Sequence, residues 1–167
     1  MLSVYVICNI SKLYVINLSD GDINMKISIT AFKKLNISIS DQPPESGGIL
    51  GSTYDDVITE ILKDKVEKTP NKMCCYEPNV YFLNQQIAKW TDKGISFKGI
   101  FHTHFVGVNT LSLADKKYIH KIMKNMPTHI KYLYFPIFVL PNRELVCYKA
   151  EKIKNRINIF PEDVTII

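Results

Sequence analysis

Residues 102–115 read HTHFVGVNTLSLAD: His102-Thr103-His104, seven residues, then Ser112-Leu113-Ala114-Asp115. Side chains two apart on a strand share a face, so His102 and His104 can converge while Thr103 points away. Imidazole nitrogens and a carboxylate oxygen suit zinc, and three protein ligands leave a fourth position for water, as a catalytic metal requires. For Asp115 to join the histidines it must lie one turn into a helix whose start folds back over the strand end, with Gly107 in the loop easing the return. Ser112 and Asp115 also form an acidic variant of the helix capping box. The two readings are compatible, Ser112 capping while Asp115 ligates.

Ser96–Phe101 reads as the buried strand that delivers His102, and Ser112 opens a helix running to about Asn125, ended by Met126-Pro127. Tyr118, Ile119 and Ile122 form its inward face. Upstream, Asn79–Lys93 has helical periodicity, with Phe82, Leu83, Gln86, Ile87 and Trp90 on one side and Gly94 as the stop. Leu2–Ile10 and Lys12–Leu18 read as strands around a turn at Asn9–Ser11, a second turn falls at Ser19–Asp22, and Met25–Ile29 is extended. Thr30 caps a short helix through Leu35 with Ala31, Phe32 and Leu35 inward, and Pro43-Pro44 breaks any continuation. Glu45–Ser52 is compact and glycine-rich, Val57–Leu62 is a strand, and the polar stretch Lys63–Glu77 reads as a surface insertion. Lys131–Leu140 and Glu144–Ala150 form a hairpin around Pro141-Asn142, with Pro136 placing part of its first strand at a sheet edge, and Ile157–Ile159 is a last strand. The order of elements describes one mixed α/β (α+β) domain over residues 1–167.

Composition narrows the function classes. With 46% hydrophobic, 11% aromatic and 22% charged residues, the 167-residue chain can bury a core of its own. The net charge of +5 is spread along the chain, which disfavours nucleic acid as the main partner. Met1–Ile7 reads as a strand rather than a signal peptide, and no stretch is long enough to span a membrane. Cys8, Cys74, Cys75 and Cys147 show no Cys-x-x-Cys pairing and read as reduced thiols of a cytoplasmic protein.

A metal-bound water needs a base that is not itself locked on the metal. Glu45 is the leading candidate, because Ser46-Gly47-Gly48 after it lets another backbone approach closely; the competing reading is an exposed turn carboxylate. His120, on a lysine-rich helix face, and His129, beside Pro127, read as solvated bystanders.

Together these residues resemble the JAMM metallopeptidases, the metal-binding form of the MPN domain: a glutamate far upstream, His-x-His, seven residues, Ser, two residues, Asp. Glu45, His102, His104, Ser112 and Asp115 match that spacing, and Glu45–Gly51 resembles the family's segment around its glutamate. The resemblance implies an MPN/JAB-like mixed β-sheet flanked by helices, of cytidine-deaminase-like architecture. It further implies one zinc held by His102, His104, Asp115 and water, with Glu45 as the proton carrier and Ser112 as an oxyanion donor. The implied reaction is hydrolysis of the amide bond after the C-terminal tail of a ubiquitin-like protein or its conjugate. The absence of long insertions resembles the compact prokaryotic JAB branch, whose members often act beside activating-like and conjugating-like enzymes, some in antiphage defence.

Two rival readings stay open: a JAMM peptidase acting on a sulfur-carrier protein or amino-acid adduct, and a RadC-like nucleic-acid-linked module. The second family follows its paired histidines with a Pro-Ser-Gly pattern, where this chain has Phe105-Val106-Gly107. A cysteine hydrolase built on Cys147 is a more distant option, since no helix N-terminus stands there to lower the thiol pKa.

Overall fold

In the computed structural model the strands are, in chain order, β1 (Val4–Val6), β2 (Tyr14–Ile16), β3 (Met25–Ile27), β4 (Gly47–Ser52), β5 (Val57–Ile58) and β6 (Glu60–Lys63), then β7 (Ser96–His104), β8 (Tyr132–Tyr134), β9 (Ile137–Val139), β10 (Glu144–Ile153), β11 (Arg156–Glu162) and β12 (Val164–Ile166). The helices are α1 (Ile29–Ser38), α2 (Val80–Asp92) and α3 (Leu113–Asn125). The structure describes residues 4–6, 14–16, 24–54, 56–65, 76–154 and 156–167. The turns expected at Asn9–Ser11 and Ser19–Asp22, the cysteines at 8, 74 and 75, and residues 66–75 of the expected insertion lie outside them.

The main sheet has the order β11-β10-β8-β7-β4-β6, with β9 continuing beyond β8 between β10 and β7. Strand β7 runs parallel to β8 and β9 and antiparallel to β4. A parallel pair needs a long crossover, and α3 supplies it between β7 and β8. A smaller parallel sheet, β12-β3-β5, stands apart from the main one.

Side-chain alternation divides the main sheet into two packed faces. Leu50, Phe101, Tyr134 and Phe138 turn to one side and pack with Met25, Ile27, Phe32 and Leu35 of β3 and α1. Ile49, Ile100, Leu133, Ile137 and Val139 turn to the other and pack with Leu83 and Trp90 of α2 and Ile119 and Met123 of α3. His102 and His104 follow Ile100 at the two-residue period, which puts them on the α2/α3 face at the C-terminal end of β7.

Several expected elements shift for identifiable reasons. Helix α1 begins at Ile29, because Ser28 rather than Thr30 is its cap and accepts the Ala31 N–H at 3.2 Å, and it continues past Leu35 to Ser38. Glu45–Ser52 contains a fully buried strand, and Val57–Leu62 is two strands serving different sheets, β5 beside β3 and β6 beside β4. Strand β7 reaches through the histidines to His104, past the expected end at Phe101. Pro136 is not at an edge: it is buried at the break between β8 and β9, inside the sheet, where its carbonyl accepts the His102 N–H at 3.2 Å. The hairpin turns around Pro141-Asn142 as expected, with Val139 paired to Glu144, while β10 and β11 are longer than expected and β12 is additional.

Two glycines let the central strands touch. A Cβ on Gly48 would overlap the Leu62 carbonyl oxygen and stand 2.8 Å from the Phe101 ring. Gly99 has φ +152, and a Cβ there would overlap the Tyr134 carbonyl oxygen. Gly94 needs only its left-handed φ of +71, since a Cβ there would meet nothing within 4 Å. Gly99→Ala is therefore expected to cost roughly 3 kcal/mol in urea unfolding, from overpacking plus an unfavourable φ, and Gly94→Ala only about 1 kcal/mol. Equal losses would contradict this account of the β7–β8 approach.

Candidate metal centre

The site is built where β7, the start of β4 and the start of α3 meet. His102 pairs with Gly47 across the β4–β7 ladder, and continuing that antiparallel register sets Thr103 opposite Ser46 and His104 opposite Glu45. Hydrogen bonds hold this extension: the Ser46 N–H donates to Thr103 Oγ1 at 2.9 Å, and the Thr103 N–H donates to the Ser46 carbonyl at 2.9 Å. Residues opposite each other in an antiparallel pair share a face, so Glu45 stands on the histidine side of the sheet. Thr103, which separates the ligand candidates in sequence, thus fixes the glutamate segment from the other face.

Asp115 arrives from α3. Ser112 Oγ accepts the Asp115 N–H at 3.1 Å and Asp115 Oδ2 accepts the Ser112 N–H at 2.7 Å, a complete capping box. The same carboxylate puts Oδ1 3.5 Å from His102 Nε2 and Oδ2 3.4 Å from His104 Nε2. Capping and convergence on the histidines therefore coexist in one side chain. The two Nε2 atoms are 2.9 Å apart. A tetrahedral zinc with bonds of about 2.05 Å has donor atoms about 3.3 Å apart, and here one ligand atom from each of the three residues lies within 4.8 Å of the others, so the group could close on such an ion.

His104 Nδ1 lies 3.1 Å from the Val108 carbonyl, which can only accept. In the neutral ring the proton therefore sits on Nδ1 and the lone pair on Nε2, facing the cluster, the tautomer a metal ligand needs. Val108 belongs to the return loop, where Gly107 takes φ +72 and its N–H donates to the Leu140 carbonyl at 3.2 Å.

The electrostatics follow from burial and from this crowding. Burial lowers the His102 pKa and outweighs the favourable pull of Asp115. His104 is also penalised by burial, but the Asp115 hydrogen bond, the charges of Glu45 and Asp115 and the Val108 carbonyl prevail, and its pKa is raised. Burial works against the Asp115 carboxylate as well, yet hydrogen bonds from His102, His104 and Ser112 hold it well below the usual carboxylate range. Glu45 is pushed up to about 7, chiefly by burial, against the opposing pull of His104 and of the Tyr76 N–H that donates to its Oε2 at 3.0 Å. A carboxyl group poised near neutrality can both take and return a proton.

Of the residues singled out in the sequence, His102, His104 and Asp115 come together as a group able to hold a metal ion, with Glu45 and Ser112 at its border. His120 and His129 are exposed and stand apart from it. Cys147 is buried in the α1-side core and burial raises its thiol pKa strongly, the opposite of what a nucleophile needs. Asp64 and Tyr76, at the two ends of the expected surface insertion, are site-building residues that the sequence did not reveal. Tyr76 bonds Glu45 and stacks on His102, and Asp64 is buried.

No protein-family model matches the sequence, and no curated protein matches it significantly. Solved structures do resemble it. A Desulfitobacterium hafniense protein superposes with a TM-score of 0.58 at 15% identity, covering 85% of this chain and 92% of its own. A Salinibacter ruber protein gives 0.55 at 16% identity, over 86% and 92% of the two chains. A JAB1/MPN domain protein of Archaeoglobus fulgidus gives 0.50 at 17% identity, over 84% and 99%. The chain thus has an MPN/JAB-like fold, a mixed sheet flanked by helices, as its sequence led one to expect. Among the described residues, no helix is long and apolar enough to cross a membrane.

Ligation requires neutral imidazoles and an ionised carboxylate, so protons compete with metal. Because His104 binds its proton more tightly than an ordinary histidine, zinc affinity measured against a chromophoric chelator should weaken progressively from about pH 8 to about pH 6. A pH-independent affinity would contradict histidine ligation. For Cys147, peptide mapping after iodoacetamide treatment should find its thiol unmodified in native protein and alkylated in urea; rapid native alkylation would contradict its burial.

Proposed function

We propose that the chain is a zinc-dependent isopeptidase or peptidase, cutting the amide bond after the C-terminal tail of a ubiquitin-like protein or its conjugate. The observation that carries this reading is the convergence of His102, His104 and Asp115, with Gly47 paired to His102 and Glu45 two residues before it. The MPN/JAB-like fold and the Glu–His-x-His–Ser–Asp spacing support the choice of reaction and substrate class.

His102 Nε2, His104 Nε2 and the Asp115 carboxylate would hold the zinc. When bound, it supplies Lewis acidity that makes water nucleophilic near neutral pH and polarises the amide carbonyl. Glu45 accepts one proton from the attacking water and delivers it to the amide nitrogen as the C–N bond breaks, so the amine leaves neutral, the water oxygen ends in the new carboxyl group, and that group's own proton passes to solvent as it ionises. The Ser112 oxygen already accepts the Asp115 N–H, which leaves its hydroxyl proton free to donate to the developing oxyanion. The tethered register of Glu45, set by Thr103 and Ser46, keeps the base near the cluster without making it a ligand. Activating-like and conjugating-like enzymes acting on the same modifier are the natural partners of such an activity, in the cytoplasm.

The test uses the full chain with zinc and a ubiquitin-like protein extended at its C-terminus by an amide-linked fluorophore. Wild-type protein should release the fluorophore, and a chelator should stop it. Glu45→Gln should retain about one zinc per chain and lose activity by about 10²–10⁴-fold. Full activity in the zinc-loaded variant would overturn the assignment of Glu45 as the proton carrier.

A further inference from the structure

Tyr76, four residues before α2, touches the site in three ways. Its ring stacks on His102, with centroids 6.3 Å apart and planes inclined by 13°. Its backbone N–H donates to Glu45 Oε2 at 3.0 Å. Its hydroxyl donates to Asp64 Oδ2 at 2.9 Å. One residue thus contacts both the proposed base and a proposed ligand, and is itself moored to a third side chain.

The mooring is substantial. Asp64 is only 6% exposed, and its Oδ2 also accepts the N–H of Asn79, the N-cap of α2, at 2.8 Å. Its own N–H donates to the Gly47 carbonyl at 2.8 Å. Asp64 therefore joins the end of β6, the start of β4 and the start of α2. A buried carboxylate is costly unless its hydrogen bonds are strong, and bonds to a charged acceptor are about twice as strong as neutral ones. Gly47 completes the arrangement: a Cβ there would stand 2.5 Å from Tyr76 Cε1 and 2.5 Å from the Phe101 carbonyl oxygen. The missing side chain is what lets the ring lie beside His102.

We propose that Tyr76 is a positioning residue, anchored by Asp64, that holds the Glu45 carboxylate through its backbone N–H and the His102 imidazole through its ring. The inference rests on the reading of Glu45 as base and His102 as ligand. The Asp64 anchor acts on Glu45 indirectly, by fixing the backbone from which the N–H projects. The ring acts on His102 directly, by limiting its rotation. The two roles can therefore be separated by substitution.

The experiment compares full-chain wild type with Tyr76→Phe, Asp64→Asn and Tyr76→Leu. Amide hydrogen exchange is followed by NMR, and Co2+ binding by its d–d absorption. Tyr76→Phe and Asp64→Asn keep the ring but weaken the anchor. In both, the amide at position 76 should exchange about tenfold faster, while Ile49 and Ile100 in the strand core stay as protected as in wild type. Their Co2+ affinity should stay within about twofold. Tyr76→Leu removes the stacked ring and should weaken Co2+ about tenfold, in line with the loss of other groups that orient metal ligands. In the fluorophore-release assay, Tyr76→Phe should lower kcat about tenfold with KM nearly unchanged.

Wild-type exchange at position 76 in both anchor variants, or wild-type Co2+ affinity and spectrum in Tyr76→Leu, would overturn the proposal. Should wild-type protein release no fluorophore, the functional reading fails while the exchange and cobalt measurements still decide the positioning role. Loss of protection at Ile49 and Ile100 in both anchor variants would mean that Asp64 and Tyr76 hold the fold rather than the site, and would also overturn it.

Discussion

Strand β4 lies so close to β7 that Gly47 has no room for a side chain, a Cβ there standing 2.5 Å from the Phe101 carbonyl oxygen, and the placement of Glu45 follows from that approach. The pairing register carries Gly47 to His102 and, one step further on each side, Ser46 to Thr103. Beyond it Glu45 comes opposite His104. A slip of one residue would turn Glu45 to the α1 face and leave the histidines facing no carboxylate from β4. Burial on both faces of β4 makes such a slip expensive, since Ile49 and Leu50 serve opposite cores. The stability of the sheet and the placement of the proposed base are therefore set by the same constraint.

The second half of the site depends on a helix start. Asp115 occupies the first turn of α3, where the exposed backbone amides favour a carboxylate, and its Ser112 N–H contact fixes the side chain before any ligand is considered. Burial makes the cluster costly, because two buried imidazoles and a partly buried carboxylate are held against each other. A divalent cation held by His102, His104 and Asp115 would relieve that crowding by taking up the lone pairs they turn inward. The loop between His104 and Ser112 contributes through Val108, whose carbonyl selects the His104 tautomer.

The sequence signals of this fold differ in how local they are. The three ligand candidates lie within fourteen residues and obey the strand and helix periods, so their convergence could be anticipated from residues 102–115 alone. Glu45 is 57 residues from His102, and only the motif resemblance connected the two; the register of β4 against β7 supplies the physical link. Strand β4 itself was hidden because Gly47, Gly48 and Gly51 depress strand propensity, whereas in the structure they are what allows close packing. The division of Val57–Leu62 between two sheets leaves no turn signal in the sequence, since only Thr59 separates β5 from β6. Asp64 and Tyr76 were unreadable for a related reason: each sits in polar, irregular sequence and gains its meaning from partners brought near by folding.

His102, His104 and Asp115 could hold a metal ion with nitrogen and oxygen donors alone. Zinc K-edge X-ray absorption on the metal-loaded full chain reads those donors out. A shell of about four nitrogen and oxygen atoms near 2.0 Å is expected, with the multiple-scattering signature of about two imidazoles. A sulfur shell near 2.3 Å, or a first shell without imidazole, would contradict it.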